Sequence, residues 1–330
     1  FTEHNDVFID NNLVYMAKPI YGGWVTCTAH MCLINKKRLV KIAKRTEPKQ
    51  RDFGYGVGYQ NMRIDDLLEV PNLMITAVDK HYWKYLHLFP KNTPLVIHDP
   101  TELKGKENPL PGLLHHFKII TIRDSVYTFL KNTYNIESEL KLHPFYEYEK
   151  KNNLCHSFNS LSISRIDFDK HTDLLLQANK KINDESNKIK ILGSENRLYV
   201  HHKLKDLDFE TYWKGKFPKT FPIQHNGKSI LNSCRYVIDM SVIKGDGGGT
   251  QYTFLEAIYQ GCALILHKDW VNQGNTFVKD RNCYVVGFTD NVGQEIADII
   301  ESPIGNKYRT IVKESKKLLD THINISWNSI

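Results

Sequence analysis

The sequence predicts an α/β protein built from two doubly wound domains. Short apolar runs alternate with amphipathic segments along the chain, a pattern typical of parallel sheets covered by helices. The chain has 330 residues, enough for two domains of ordinary size. A polar, turn-rich segment at residues 143–160 separates two series of this alternation. We therefore expect domains at residues 1–150 and 151–315, with residues 316–330 forming a C-terminal helix that crosses back to the first domain.

The first half of the chain contains five strand candidates and three helix candidates. Helices are expected at Val25–Ile34, in the aromatic-rich stretch 80–89 and at 123–135. The strand candidates are the apolar runs 13–17, 38–44, 72–78, 93–99 and 117–122.

The second half repeats the pattern with five strands and five helices. The predicted strands are residues 160–164, 188–193, 234–240, 262–267 and 283–288. The predicted helices are residues 170–183, 195–206, 251–261, 292–302 and 308–322. Ligands of doubly wound sheets bind beyond the carboxyl ends of the strands, so a central cleft between two facing domains is the expected site.

Composition limits the class of protein. The six cysteines are scattered without a C-x-x-C pair, which favours reduced thiols in the cytoplasm over disulfides or a zinc site. No apolar run approaches the ~20 residues that a membrane span needs. The net charge of +7 permits an anionic partner such as nucleic acid. Lysine, asparagine and isoleucine are plentiful, so part of this charge also fits the coding bias of an AT-rich genome.

A glycine-rich loop, "GDGGGT" (245–250), opens the helix expected at 251–261. Backbone N–H groups at a helix N-terminus bind anions, and glycines let a ligand approach them closely. The loop matches neither G-x-x-x-x-G-K-[ST] nor G-x-G-x-x-G. A flexible surface loop is the alternative interpretation.

Two cations and one carboxylate accompany this loop in the second half. Arg165 and Lys170 follow the strand that ends at Ser164, and two fixed cations at such a junction suit a diphosphate. Glu256 lies in the helix after the glycine loop, where its carboxylate could accept bonds from two ribose hydroxyls. Each of the three could equally be an ordinary surface or helical residue.

Taken together, four ordered segments resemble the retaining glycosyltransferases of the GT-B fold, which have two Rossmann-like domains facing a central cleft. The match extends over roughly residues 160–300. The segments are "SRIDFDKHTDLLLQA" (164–178), "KIKILGSE" (188–195), "GGGTQYTFLEAIYQGCALILH" (247–267) and "GNTFVKDRNCYVV" (274–286).

The resemblance implies roles for individual residues. Arg165 and Lys170 would bind the donor diphosphate and stabilise it as it leaves, Glu256 would bind the ribose, and Gly193 would lie at the donor. The glycine loop would contribute through Gly247, Gly248, Gly249 and Thr250.

Two departures from the family pattern concern this site. Ser164 replaces the glycine that precedes the family's arginine, and Gly248 occupies the position of the first glutamate of its E-x7-E pair. Asp246 is a nearby candidate to replace that carboxylate.

The first half resembles the same family in two loops. Gly22 and Gly23 follow the first strand, where the family has a glycine-rich loop beneath the donor phosphates. His98 and Asp99 end the fourth strand and are candidates to orient the acceptor or to stabilise charge on the sugar. A hydrogen-bonded turn is the alternative for His98.

These details are most similar to the DNA α-glucosyltransferases of T-even phages. The similarity implies a hydroxymethylated base in duplex DNA as acceptor, flipped from the stack for reaction. Basic side chains would then contact DNA phosphates, and solvated surface is the alternative interpretation for them. The candidates are Lys36, Lys37, Arg38, Lys41, Lys44 and Arg45.

The expected reaction is therefore transfer of a sugar from a nucleotide sugar, with a UDP-sugar favoured, to an acceptor hydroxyl with retention. No D-x-D motif stands in a fitting context, so we expect no metal requirement, and we expect the cytoplasm of a phage or viral host as the location. The alternatives are an enzyme acting on a cell-envelope glycan or a protein, a nucleotide-sugar epimerase, and a non-catalytic nucleic-acid-binding protein.

Overall fold

A computed structural model describes residues 12–150, 158–232, 234–323 and 327 of the chain. Cys155, and residues 151–157 of the segment expected to link the domains, lie outside the described residues. The chain divides into two compact units. Unit 1 comprises Phe1–Glu147 and Thr321–Ile330, and unit 2 comprises Tyr148–Asp320. Within the described residues, none of the helices combines the length and apolar character needed to cross a membrane.

Unit 1 is built on an eight-stranded sheet with the order β3-β4-β2-β1-β5-β6-β7-β8. Strands β3 and β4 are antiparallel, and the other neighbouring pairs are parallel. The strands are β1 (Asn12–Met16), β2 (Arg38–Ile42), β3 (Arg51–Gly54), β4 (Val57–Met62), β5 (Leu73–Val78), β6 (Pro94–Ile97), β7 (Lys118–Thr121) and β8 (Glu139–Leu140).

The helices of unit 1 follow the strands in alternation. They are α1 (Gly23–Asn35), α2 (Ile64–Leu68), α3 (Leu110–Leu113) and α4 (Asp124–Tyr134), with 3-10 turns at Trp83–Leu88 and Pro100–Leu103. Apolar side chains from strands and helices meet in one core that includes Val14, Ile75, Leu95 and Leu130. All five residues of β1 are buried, which explains why this central strand is a continuous apolar run.

Unit 2 contains a five-stranded parallel sheet with the order β10-β9-β13-β14-β15, and a separate two-stranded hairpin, β11–β12. Its core includes Leu175, Ile238, Ile265 and Ile296. The strands are β9 (Ser160–Ile163), β10 (Lys190–Leu192), β11 (Gln224–His225), β12 (Lys228–Ser229), β13 (Tyr236–Asp239), β14 (Ala263–His267) and β15 (Tyr284–Val286). The helices are α5 (Thr172–Lys181), α6 (Arg197–Lys203), α7 (Phe209–Tyr212), α8 (Tyr252–Tyr259), α9 (Lys268–Val271), α10 (Val292–Glu301) and α11 (Asn306–Ile323), with a 3-10 turn at Glu185–Asn187.

The predicted α/β class with parallel sheets is confirmed, with local differences among the short elements. The expected helix at 80–89 is a short 3-10 helix, Trp83–Leu88. The β3–β4 and β11–β12 hairpins were not predicted, because their short strands lack the apolar runs of central strands.

Candidate active site

The carboxyl ends of β9 and β10 approach each other closely in unit 2. A Cβ atom on Gly193 would lie 1.7 Å from the carbonyl oxygen of Ser164. Any side chain at position 193 would therefore push the two strand ends apart. The Gly193 N–H donates to Gly215 O at 2.9 Å, which fixes the turn after β10. The sequence-predicted residue Gly193 thus has a structural reason to be glycine.

Arg165 and Lys170 follow β9, and their environments differ. Arg165 is exposed, and its guanidinium donates to Asp167 at 2.9 Å and to Asp169 at 3.0 Å. Lys170 is buried, with 8% of its surface exposed, and its Nζ donates to the hydroxyl of Ser241 at 2.9 Å. Among the described residues, Lys170 forms no ion pair. A buried ammonium group without a carboxylate partner favours binding of an anion.

The glycine loop lies between β13 and α8 and is held by residues that follow β14. The φ angles of Gly247, Gly248 and Gly249 are 93°, 65° and 91°, a left-handed run that favours glycine. Trp270 Nε1 donates to Gly249 O at 3.0 Å, and Gly247 N donates to Gln273 Oε1 at 3.3 Å. The Gly247 N–H is therefore bonded to a side chain, and a phosphate would have to replace the Gln273 amide oxygen to reach it.

Gly248 also has a steric reason to be glycine. A Cβ atom there would lie 2.7 Å from Trp270 O and 3.0 Å from Gln273 Cβ. The glutamate that the GT-B pattern has at this position would not fit the observed loop. Thr250, at the end of the loop, is 5% exposed, and its hydroxyl donates to Gln251 O at 3.4 Å.

Three buried polar groups near the ends of β13 and α8 lack a hydrogen-bond partner among the described residues. They are Glu256 Oε2, Thr253 Oγ1 and Asp239 Oδ2. Glu256 is 1% exposed, and burial raises its pKa well above the usual range. Thr253 lies three residues before Glu256, so both side chains project from the same face of α8. Buried polar atoms without partners are rare in folded proteins, and either a bound ligand or an ordered water would supply the missing hydrogen bonds here.

In unit 1, an exposed helix N-terminus follows the central strand β1. Gly22 caps α1 with φ 98°, and no side chain caps the helix. A Cβ atom on Gly22 or Gly23 would have no neighbour within 4 Å, so the space above the first turn is open. This 13-residue helix therefore offers unsatisfied N–H groups and the positive end of its dipole to an anion.

His98 ends β6 and is held as a neutral imidazole. Its Nε2 donates to the carbonyl of Thr76 at 2.6 Å, so Nδ1 keeps its lone pair. Burial lowers the pKa of His98 to about 4. The ring lies 5.9 Å from that of Trp24 on α1.

Asp99 and Glu102 form a capping box that fixes this strand end. Asp99 Oδ1 accepts from Thr101 N at 2.8 Å, and Glu102 Oε2 accepts from Asp99 N at 2.8 Å and from His98 N at 2.5 Å. Burial raises the pKa of Glu102. Asp99 therefore has a structural function, and the sequence analysis missed Glu102 although the "DPTE" pattern signals a capping box.

The basic residues proposed for DNA lie at two opposite edges of the sheet. Lys36, Lys37 and Arg38 join α1 to the start of β2, at the amino edge, away from Gly22 and His98. Lys37 is also only 9% exposed, and burial lowers its pKa. Lys36, Lys37 and Arg38 therefore lie at the opposite edge of the sheet from Lys44 and Arg45.

The remaining basic residues lie at or near the carboxyl edge of the sheet. Lys44 and Arg45 follow the end of β2 and are exposed. Lys41 Nζ lies 5.3 Å from the ring centres of both Tyr15 and Tyr59.

In the part of the chain that the structure describes, no group of three or more His, Cys, Asp or Glu residues could hold a metal ion.

The fold is that of the GT-B glycosyltransferases, as predicted. HepE of Anabaena, solved with UDP and glucose, superposes with a TM-score of 0.65 at 13% identity, covering 94% of this chain and 95% of HepE. An α-glucosyltransferase solved with UDP-glucose and DNA containing an abasic site gives 0.63 at 15% identity, covering 94% and 95%. A glycosyltransferase of Rickettsia africae gives 0.61 at 12% identity, covering 96% and 94%. No family model and no curated protein sequence matches the chain.

Proposed function

We propose that this protein is a glycosyltransferase that moves a sugar from a UDP-sugar to an acceptor hydroxyl with retention. One observation carries the proposal: Lys170 and Glu256 are both buried, and neither has an oppositely charged partner among the described residues. The glycine loop connects the two groups along the chain. It begins shortly after Ser241, which bonds to Lys170, and it leads into α8, which carries Glu256. A nucleotide sugar supplies what each group lacks, a diphosphate for the ammonium and a ribose diol for the carboxylate.

The chemistry follows from charge. Bond breakage leaves negative charge on the departing diphosphate, and Lys170 and Arg165 would stabilise that charge without a metal. The ion pairs of Arg165 with Asp167 and Asp169 are exposed to solvent and are therefore weak. An incoming phosphate would compete with these two aspartates for the guanidinium group. With a pKa of about 4, His98 is neutral but weakly basic at neutral pH. Its role is then to accept a hydrogen bond at Nδ1, while the leaving phosphate takes the proton of the acceptor.

The acceptor we propose is a hydroxymethylated base in duplex DNA of a phage or virus. The fold similarity to an α-glucosyltransferase bound to DNA, the net charge of +7 and the exposed Lys44 and Arg45 support this choice. We also propose a cytoplasmic location, which the free buried thiols of Cys32, Cys234, Cys262 and Cys283 favour.

A transfer assay tests the proposal. Labelled UDP-glucose is incubated with the protein and duplexes that carry either hydroxymethylcytosine or cytosine, and label in the DNA is counted. We expect label only in the hydroxymethylated duplex. Lys170→Met should lower kcat/KM about 100-fold or more, as expected for loss of a group that stabilises the leaving charge. Lys181→Met, at an exposed position at the end of α5, the helix that follows Lys170, is the matched control and should retain activity.

The outcomes separate the donor from the acceptor. Hydrolysis of UDP-glucose without transfer to DNA would reject the DNA acceptor and retain the donor site. Failure of UDP-glucose to bind or to raise the melting temperature would reject the glycosyltransferase proposal itself.

A further inference from the structure

We propose that Ile20 and Tyr21 form an apolar wedge that enters the base stack of duplex DNA and keeps the acceptor base out of the helix. This inference rests on the proposed function, since it concerns how the DNA acceptor reaches the site.

The turn is fixed where it leaves β1, at Lys18 and Pro19. The hydroxyl of Tyr15 donates to Pro19 O, and the Lys18 N–H donates to Asp79 Oδ2 at 2.7 Å. Tyr15 is fully buried, and its ring packs edge-on against Phe53 at 5.2 Å. Asp79 belongs to the neighbouring strand end, because its N–H donates to the carbonyl of Met16 at 3.0 Å. The turn is thus held by the central strands of the sheet.

This fixed turn presents two large apolar residues to solvent. Ile20 is 51% exposed and Tyr21 is 50% exposed. Single exposed apolar residues are common on protein surfaces, but two adjacent ones on an anchored turn form a preorganised contact. They immediately precede Gly22 and Gly23, above which the space at the N-terminus of α1 is open. The apolar pair therefore borders the open N-terminus of α1.

The surrounding charge favours a polyanion as the partner. Strand β2 lies beside β1, with Val14 paired to Val40, so the residues after β2 lie at the same edge as the turn. Lys44 and Arg45 are exposed there, and Arg45 has only a loose ion pair to Glu47, at 3.8 Å. Apolar side chains that unstack a base step, beside cations that bind phosphates, are a combination that DNA-deforming proteins use.

A pair of acceptors distinguishes a wedge from an ordinary contact. One duplex carries hydroxymethylcytosine paired with guanine, and the other carries it opposite an abasic site, where the base leaves the stack easily. We expect an Ile20→Ser/Tyr21→Ser variant to lose about 10- to 100-fold in kcat/KM on the paired duplex and less than about 3-fold on the unpaired one. Binding and hydrolysis of UDP-glucose should be unchanged.

Leu88→Ser is the matched control, because Leu88 is a 41% exposed apolar residue that belongs to the same unit but lies outside this turn. It should change transfer to neither duplex. Equal losses of the Ile20/Tyr21 variant on both duplexes, or no loss, would overturn the wedge. If the wild-type protein hydrolyses UDP-glucose but labels neither duplex, the DNA acceptor is wrong and the wedge with it.

Discussion

Replacing Glu256 with glutamine separates two effects of this carboxyl group. One is its effect on the free energy of unfolding, and the other is its contribution to binding of the donor. The side chain is 1% exposed, and its Oε2 has no hydrogen-bond partner among the described residues. Glutamine has nearly the same shape but cannot be charged. If Glu256 serves the ribose, Glu256→Gln should stabilise the protein and weaken the binding of UDP-glucose.

The direction of the stability change follows from proton linkage. Burial raises the pKa of Glu256 in the folded protein, while the unfolded carboxyl titrates near 4.5. Above pH 4.5 the folded state therefore binds a proton that the unfolded state has released, so this residue costs stability as pH rises. The cost grows by about 1.4 kcal/mol per pH unit while the folded carboxyl stays protonated.

We expect the free energy of unfolding of Glu256→Gln to exceed that of the wild type by about 1–3 kcal/mol at pH 7. The difference should vanish near pH 4.5, the ordinary carboxyl pKa. A hydrogen bond between neutral groups contributes about 0.5–1.5 kcal/mol, so the affinity for UDP-glucose should fall about 2- to 10-fold for each ribose hydrogen bond that is lost.

Two assays test this prediction. Thermal unfolding between pH 4.5 and 8 measures the stability difference, and titration calorimetry with UDP-glucose measures the affinity. Glu210→Gln, at an exposed position in the same unit, is the control and should change neither quantity. A folded Glu256→Gln protein with wild-type affinity would refute the ribose assignment. Destabilisation at every pH would show that the carboxylate is a structural group.

Three further changes test other parts of the site. Gly248→Ala should lower the melting temperature by several degrees and weaken donor binding, because its Cβ would lie 2.7 Å from Trp270 O. Gly245→Ala, in the same loop at φ +79° but with no atom within 4 Å, should cost only about 1 kcal/mol of backbone strain, and equal losses would contradict the steric argument. Burial lowers the pKa of His30 to about 3 and that of His98 to about 4 in the folded protein. At pH values between these pKa values and the ordinary 6.5, the unfolded state therefore binds more protons than the folded state. The stability of the wild type relative to His98→Gln should therefore fall as pH drops from 6.5 towards 4, and a constant difference between the two proteins would be inconsistent with a neutral buried His98. Arg165→Ala/Lys170→Ala should abolish sugar transfer while circular dichroism shows an intact fold, and full activity in this variant would reject the role of both cations.

The sequence predicted the parts of the fold that depend on buried strands. β1, β13 and β14 are buried at every position, and apart from one polar residue at an end of each strand they are short apolar runs that the alternation reveals. Short hairpins lack this signal. The β11–β12 hairpin turns at Asn226–Gly227, a dipeptide that favours tight hairpin turns, and this local signal was overlooked.

The candidate site was predictable where it follows strand ends. Arg165, Lys170, Gly193 and His98 each follow a predicted strand, and parallel strands bring such residues to one edge of their own sheet. The residues that hold the glycine loop, Trp270 and Gln273, bond to glycines more than 20 positions earlier in the chain. Such a contact has no local sequence pattern.

Burial separates residues that look alike in sequence. Lys37 is buried and Lys44 is exposed, although both belong to the same lysine-rich stretch. Spacing in the sequence cannot distinguish them, because exposure depends on the tertiary packing around each side chain, and Lys36 beside Lys37 is itself exposed. Sequence spacing also could not show whether Glu256 is an ordinary exposed glutamate of a helix. The structure shows that its side chain is buried.

The most direct test of the central claim is titration calorimetry of the wild-type protein with UDP-glucose, repeated with Lys170→Met. We predict saturable binding of one UDP-glucose to the wild-type protein and at least about 30-fold weaker binding to Lys170→Met, as expected when a buried ammonium loses its contact with a diphosphate. Absence of binding to the wild-type protein at millimolar UDP-glucose, or equal affinity of the two proteins, would contradict the assignment of a nucleotide-sugar site to unit 2.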